Sequence, residues 1–168
     1  DVIAAIVEAK NDPSPTVIVS PDKDFIQLQK YPNVKQFSNI QKKWVEPDVD
    51  AITDLEMKIL RGDTGDGIPN VMSDDDVLVE DNARQTPLRK SKMDMLMKDP
   101  EALGTNIARR IIRNRDMIDL SRTPAYLKKE ILELYAQPAK GSINRLMTLF
   151  TKHQMKLLIE SLQDFEVI

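Results

Sequence analysis

The five residues Thr16-Val17-Ile18-Val19-Ser20 constrain this chain most. A short, nearly continuous apolar run reads as a strand covered on both faces, which is the habit of a parallel sheet. The run is preceded by "DVIAAIVEAK", with helical apolar spacing at Val2, Ile3, Ile6 and Val7, and by the breaker stretch "NDPSP". It stops at Ser20-Pro21, and a short helix is expected from near Asp24 with Phe25, Ile26 and Leu28 pointing inward. "NVKQFS" and "KKWVEP" then read as two strands about a turn at Ser38-Asn39. Residues 49–61 form an amphipathic pattern with Ile52, Leu55, Ile59 and Leu60 as its stripe. Helix, strand, helix in this order predicts α/β organisation. From residue 62 onward no further strand is expected. Helices are predicted near 91–98, 101–115, 124–136, 142–151 and 153–163, with Pro100, Pro124, Pro138 and Gly141 as punctuation.

Composition narrows the function classes. The chain has 168 residues, 41% hydrophobic and 30% charged, as expected of a globular soluble protein. Cysteine is absent, so disulfides and thiolate metal sites are excluded. No apolar run reaches the length of a membrane span and no signal peptide is visible, so a cytoplasmic protein is expected. The chain opens at Asp1 directly on a helical pattern with no lead-in, which suggests part of a longer protein. The net charge of −3 hides an asymmetry: residues 1–104 carry 13 Lys+Arg against 20 Asp+Glu, and residues 105–168 carry 11 against 7. An acidic half could hold cations and a basic half could meet phosphates, although surface scatter gives the same numbers.

Asp22 and Asp24 stand where the predicted strand ends. In open α/β sheets functional groups gather at the carboxyl ends of strands. Two carboxylates so close repel unless a cation neutralises them, and hard ions such as Mg²⁺ favour carboxylate oxygens. A solvated turn is the competing reading, since Asp is common in turns. "RGDTGDGIPNV", residues 61–71, adds Asp63 and Asp66 in a glycine-rich turn that follows the helix 49–61. Pro69 suits the first turn of a new helix, and a glycine turn opening a helix offers amides to phosphate. A plain connector with polar loop residues is the alternative.

At these residues the chain resembles the 5′-nuclease family, which includes flap endonucleases and the 5′→3′ exonuclease domains of bacterial DNA polymerases. "SPDKDFIQL" is similar to its S-x-D-x-D-x-x-Q-L segment, "GDTGDGIPNV" to G-D-x-x-D-[NG]-I-P-x-V, and "DVIA" to the tail of E-A-D-D-x-[IL]-A, in the same order and spacing. The resemblance implies part of a PIN-like (resolvase-like) α/β nuclease layer over 1–61. A helical helix-three-turn-helix DNA-binding domain over 62–168 would follow. It implies two Mg²⁺ ions held by a carboxylate cluster: Asp22 and Asp24 as catalytic carboxylates, Asp1 as the last acid of the E-A-D-D segment, Asp22 toward the first ion, and Asp24, Asp63 and Asp66 toward the second. Gly65, Gly67 and Ile68 would lie against a phosphate, with the Gly67 and Ile68 amides facing it and a K⁺ ion at the turn. The implied substrate is a 5′ end or 5′ flap on duplex DNA or RNA/DNA, attacked at a replication fork in a bacterial host cell. The enzyme would be a monomer, with a sliding clamp and a single-strand-binding protein as partners.

Two departures qualify this. The family's upstream carboxylates and helical arch have no counterpart here, so this chain alone is expected to show little or no nuclease activity. After Val71, "MSDDDVLVED" places five acids between Asp74 and Asp81, where most relatives continue with a glycine-containing helix. Such a run would repel phosphate. It is expected to loop away, leaving Arg89, Lys90 and Lys92 as the cationic contact. His153 reads as a surface residue, Trp44 as strand packing, and Met93, Met95 and Met97 as core or groove filling. Arg109, Arg110 and Arg113 fit either a phosphate stripe or the solvated face of a helix whose apolar side is Ile107, Ile111 and Ile112. Two other functions remain open: a duplex-binding module without catalysis, and a D-x-D enzyme holding a nucleotide-sugar diphosphate. The latter has no use for the Asp63/Asp66 glycine turn.

Overall fold

A computed structural model describes residues 1–10, 13–137 and 141–165. Its element order is α1 (Val2–Ala9), β1 (Thr16–Val19), a 3₁₀ helix (Lys23–Lys30), β2 (Val34–Ser38), β3 (Lys43–Val45), α2 (Ala51–Arg61), α3 (Lys90–Lys98), α4 (Thr105–Ile118), a 3₁₀ turn (Leu120–Arg122), α5 (Ala125–Tyr135), α6 (Ile143–Lys152), α7 (Lys156–Glu160) and a last 3₁₀ turn (Leu162–Phe165). The fold is mixed α/β, with one three-stranded sheet of order β1-β2-β3 and helices through the rest of the described chain. β1 and β2 are parallel, with Val17 opposite Lys35; β2 and β3 form an antiparallel hairpin, with Phe37 opposite Trp44.

The expected two-sided cover of β1 is not observed. Ile18 is buried, but Val17 and Val19 are 50% and 64% exposed. The run is apolar on both faces, yet among the described residues only one face has a layer against it. There Ile18 packs with Ala4 and Val7 of α1, Leu28 of the 3₁₀ helix and Val34 of β2.

α2 begins where Asp50 accepts hydrogen bonds from the amides of Ile52 (3.2 Å) and Thr53 (3.0 Å), and it ends at Gly62. Leu55, Ile59 and Leu60 are buried, as the periodicity predicts, but Ile52 is 61% exposed because it lies in the first turn, off the packed stripe. The stripe packs on Ile68 and Val71, on Met93 and Leu96 of α3, and on Ile111 and Ile118 of α4. Met95 and Met97 are exposed, so only Met93 fills the core. Ile112 is also exposed; the inward face of α4 is Ile107, Ile111, Asn114 and Ile118, at true helical spacing. A bidentate pair of Arg115 with Glu56, at 2.6 and 2.7 Å, ties α4 to α2.

The chain divides into compact units at Asp1–Leu132 and Glu133–Ile168. The boundary expected at 61/62 is not a break in packing, because α2 shares its stripe with α3 and α4. In the second unit α6 and α7 pack together, and Phe150 of α6 is buried. Pro138, expected as punctuation, lies outside the described residues.

No helix starts at Pro69: after the glycine turn the chain runs through further turns until α3 at Lys90. The turn closes on itself instead. Asp63 and Ile68 exchange amide-to-carbonyl bonds of 2.8 and 2.7 Å, and Gly62 lies flat against the backbone of Ile68 and Pro69. Gly62 has φ +70°, and a Cβ there would collide with both of those carbonyls. Gly67 has φ +74° but open space around it. Gly62→Ala is therefore expected to cost at least about 3 kcal/mol, and Gly67→Ala only about 1–2 kcal/mol. Urea denaturation of the two variants checks this ranking.

Candidate metal and nucleic-acid site

Chain direction and one buried amide place the first acidic pair. β1 delivers Ser20, whose amide bonds the Phe37 carbonyl at 3.0 Å. Gln36 of β2, wholly buried, donates to the Ser20 carbonyl (2.9 Å) and the Asp22 carbonyl (2.6 Å). Asp22 then caps the 3₁₀ helix by accepting from the Asp24 amide at 2.9 Å. Further along that helix Gln27 is buried, donating to the Ile118 carbonyl (3.1 Å) and accepting from the Leu120 amide (2.9 Å). It locks the acid-bearing segment to the end of α4.

The second acid arrives from the glycine turn. Asp63 accepts from the Gly65 amide at 3.0 Å with one carboxylate oxygen and meets Lys58 Nζ at 3.1 Å with the other. The same Lys58 ammonium is hydrogen-bonded to Asp24. Burial disfavours the charge on Lys58, but hydrogen bonds and charge from Asp24 and Asp63 outweigh it and raise its pKa. The Lys58 hydrogen bond, against some desolvation, holds Asp63 below the ordinary carboxylate range. Asp22, Asp24, Asp54 and Asp63 line one open cleft of about 990 Å³, with Lys58 and Trp44 in its wall.

The structure thus brings Asp22, Asp24 and Asp63 to one cleft, but not Asp1 or Asp66. Asp1 is an exposed residue at the start of α1; Asp66 is exposed in the turn, its amide bonded to the Asp63 carbonyl at 3.2 Å. Among the described residues no group of three His, Cys, Asp or Glu is arranged to hold a metal. The donor set fits one hard cation between Asp24 and Asp63, where an ammonium already sits, and does not fit a two-ion cluster. The Ile68 amide is not free to face a phosphate, because it is spent on the Asp63 carbonyl. The Gly67 amide bonds Thr64 O at 3.3 Å, the longest bond in the turn.

The first two acids of the run do not loop away, while Asp76, Glu80 and Asp81 are exposed. Asp75 pairs with Arg109 (2.9 Å) and with Arg113, and Asp74 pairs with Arg110. Hydrogen bonding from Arg109, and then the charges around it, hold the Asp75 carboxyl low. Arg89 and Lys90 are exposed at the start of α3, and Lys92 is half-buried there. Trp44 does pack as a strand residue, edge-to-face on Phe37 at 5.4 Å and 75°, yet it stays half exposed toward the cleft. His153 is exposed at the end of α6. Sequence reasoning missed Lys58 and Gln36. A lysine on an amphipathic helix carries no signal of its own, and a glutamine in a strand gives none of its burial.

Residues 49–165 match the family model described as T4 RNase H, C terminal. Over 156 residues the chain is 30% identical to the Ribonuclease H of Enterobacteria phage T4, an alignment covering 89% of this chain and 51% of that protein. The chain therefore spans about half the length of the curated relative it matches.

Lys58→Met removes the resident cation and leaves Asp24 and Asp63 facing each other. Divalent-ion affinity, read as the rise in melting temperature on adding Mg²⁺ or Mn²⁺, is expected to increase. The acid limb of the stability curve should flatten as well. Asp63 contributes stability above the ordinary aspartate pKa and loses it as pH falls through its depressed value. Lys58 contributes below the ordinary lysine pKa and loses its share as pH rises past its raised value.

Proposed function

Because this chain belongs to the T4 RNase H C-terminal family, we propose that it is the duplex-binding half of a metal-dependent, structure-specific 5′-nuclease. It would act on 5′ ends or 5′ flaps of duplex DNA or RNA/DNA, removing primers or flaps during replication in the cytoplasm of a bacterial host. It would act as a monomer, with clamp and single-strand-binding protein contacts by family analogy. The observation carrying this reading is the convergence of Asp24 and Asp63 on the Lys58 ammonium, in a cleft at the carboxyl end of β1 beside the glycine turn.

Asp24 and Asp63 would hold one Mg²⁺, with Asp22 on the wall of the same cleft. When bound, the ion would activate a water and neutralise charge on an in-line phosphodiester displacement. The chain's own groups do the positioning. Gln36 fixes the Asp22 backbone, Asp22 fixes the start of the 3₁₀ helix, and Gly65 fixes one oxygen of Asp63. α1, the sheet and the 3₁₀ helix would be a part of the PIN-like layer. α2, the glycine turn and the helices after it would form the helix-three-turn-helix. Gly65 and Gly67 let the backbone approach a phosphodiester, through the weakly held Gly67 amide and with a K⁺ ion at the turn. Ile68 supports the turn from the core. Recognition of this kind reads shape, not base sequence.

A second reading, a duplex-binding module without catalysis, is favoured by the site itself: two carboxylates converge and a lysine occupies them. Mg²⁺-dependent cleavage of a labelled 5′-flap duplex, with binding read in the same tubes, separates the readings. Binding without cleavage is expected. Cleavage abolished by Asp22→Asn would show that these carboxylates suffice, and absence of both binding and cleavage would sink the proposal.

Arg89, Lys90 and Lys92 are proposed as duplex contacts at the start of α3. Replacing all three by alanine is expected to weaken duplex binding about tenfold and to lower the log–log salt slope by about 2–3. Unchanged affinity would remove them from the interface.

A further inference from the structure

We propose that Arg109, Arg110 and Arg113 form a second site for the phosphates of duplex nucleic acid, and that Asp74 and Asp75 are its built-in competitor. The inference rests on the duplex-binding reading. Three guanidinium groups from one helix converge on two adjacent carboxylates, the charge and spacing that a phosphate pair would also satisfy.

The two sides of this contact are built differently. Two of the arginines are anchored: the Arg110 and Arg113 side chains are only 14% and 22% exposed, against 57% for Arg109. Arg113 is held from behind by the Asn114 side chain at 2.7 and 3.0 Å. Its link to the Pro69 carbonyl, at 3.4 Å, ties it to the end of the glycine turn. The acids are not anchored in this way. Asp74 is 82% exposed and Asp75 about half exposed. Exposed ion pairs contribute little to stability.

Nor does the loop need the acids to keep its shape. Its base is closed by a separate polar ring. The Asn70 amide bonds Gln85 Oε1 (2.7 Å), Asn70 Nδ2 bonds the Thr86 carbonyl (3.0 Å), Ser73 Oγ bonds Asn70 Oδ1 (3.0 Å), and the Thr86 amide bonds Ser73 Oγ (2.9 Å). A further sign points the same way. Arg110 Nε is buried with no hydrogen-bond partner, its nearest carboxylate oxygen lying 3.6 Å away on Asp75. The carboxylates leave donor capacity in the cluster unused. With the carboxylates displaced, the guanidinium N–H groups that now face Asp74 and Asp75 are left to donate to phosphate oxygens.

The test is duplex binding by the full chain across a salt series. Asp74→Asn with Asp75→Asn keeps shape and removes charge. It is expected to tighten duplex binding about tenfold at low salt and to steepen the salt slope, because arginines once neutralised internally now displace counterions. Glu130→Gln with Glu160→Gln changes net charge equally on exposed positions elsewhere and should give a much smaller gain. Adding Arg109→Ala, the most exposed member of the cluster, should cancel much of the Asn pair's gain. An Asn pair that binds with wild-type affinity and slope, or gains no more than the Glu130/Glu160 control, overturns the proposal while the duplex reading stands. If neither form binds duplex, the duplex reading and this inference both fall. Pyrophosphate titration of the Asn pair, with and without Arg109→Ala, then shows whether a bare phosphate site remains.

Discussion

Two carbonyls hold the helices and the glycine turn together: those of Ile59, near the end of α2, and Pro69, after the turn. Both accept from one buried amide group, Asn114 Nδ2, at 2.9 Å each. Asn114 is completely buried, so losing it would leave polar groups stranded in an apolar cluster, which is far costlier than losing an exposed bond. The bond pair sets how closely α4 approaches α2, and that spacing lets Gly62 lie against Ile68 and Pro69. Asp63 is held at that junction. The cleft owes its second acid to an amide on a helix that never touches the cleft.

Charge in this chain is resolved locally, between segments far apart in sequence. Lys58 meets Asp24 across 34 residues and Asp63 across one turn; Asp74 and Asp75 meet arginines 34 to 38 residues on. An acidic first half and a basic second half need not mean one half for cations and one for phosphates. Much of each is quenched by the other, in contacts that an added ion or a nucleic acid must first displace.

This is also where the sequence ran out. Helix positions were legible, since α2 through α6 follow an apolar period that needs only near neighbours, and caps such as Asp50 and stops such as Gly62 are written beside them. The β2–β3 hairpin was legible for the same reason. The cover on β1 was not, because an apolar run shows that a face can be buried but not that anything buries it. The helix expected at Pro69 failed because the Asp63 amide takes the Ile68 carbonyl, the acceptor a first turn would have used. At the candidate site, residue type and spacing showed two acidic pairs, Asp22/Asp24 and Asp63/Asp66; only the family resemblance joined them, with Asp1, into one group, of which Asp22, Asp24 and Asp63 share the cleft. Lys58 could not be read there, since a lysine becomes a counter-ion only when the fold places it between two acids.

The uncovered side of β1 has one more consequence. Among the described residues no strand lies beyond β1, and Val17 and Val19 are exposed on its face with Ile3 beside them. An open strand edge beside an apolar face is a template for another strand, and natural sheets defend such edges with lysine, proline or a bulge. The described strand carries none of these between Thr16 and Val19. A strand laid along that edge would extend the sheet by one, so association of this chain is expected to run in a single direction, through β1.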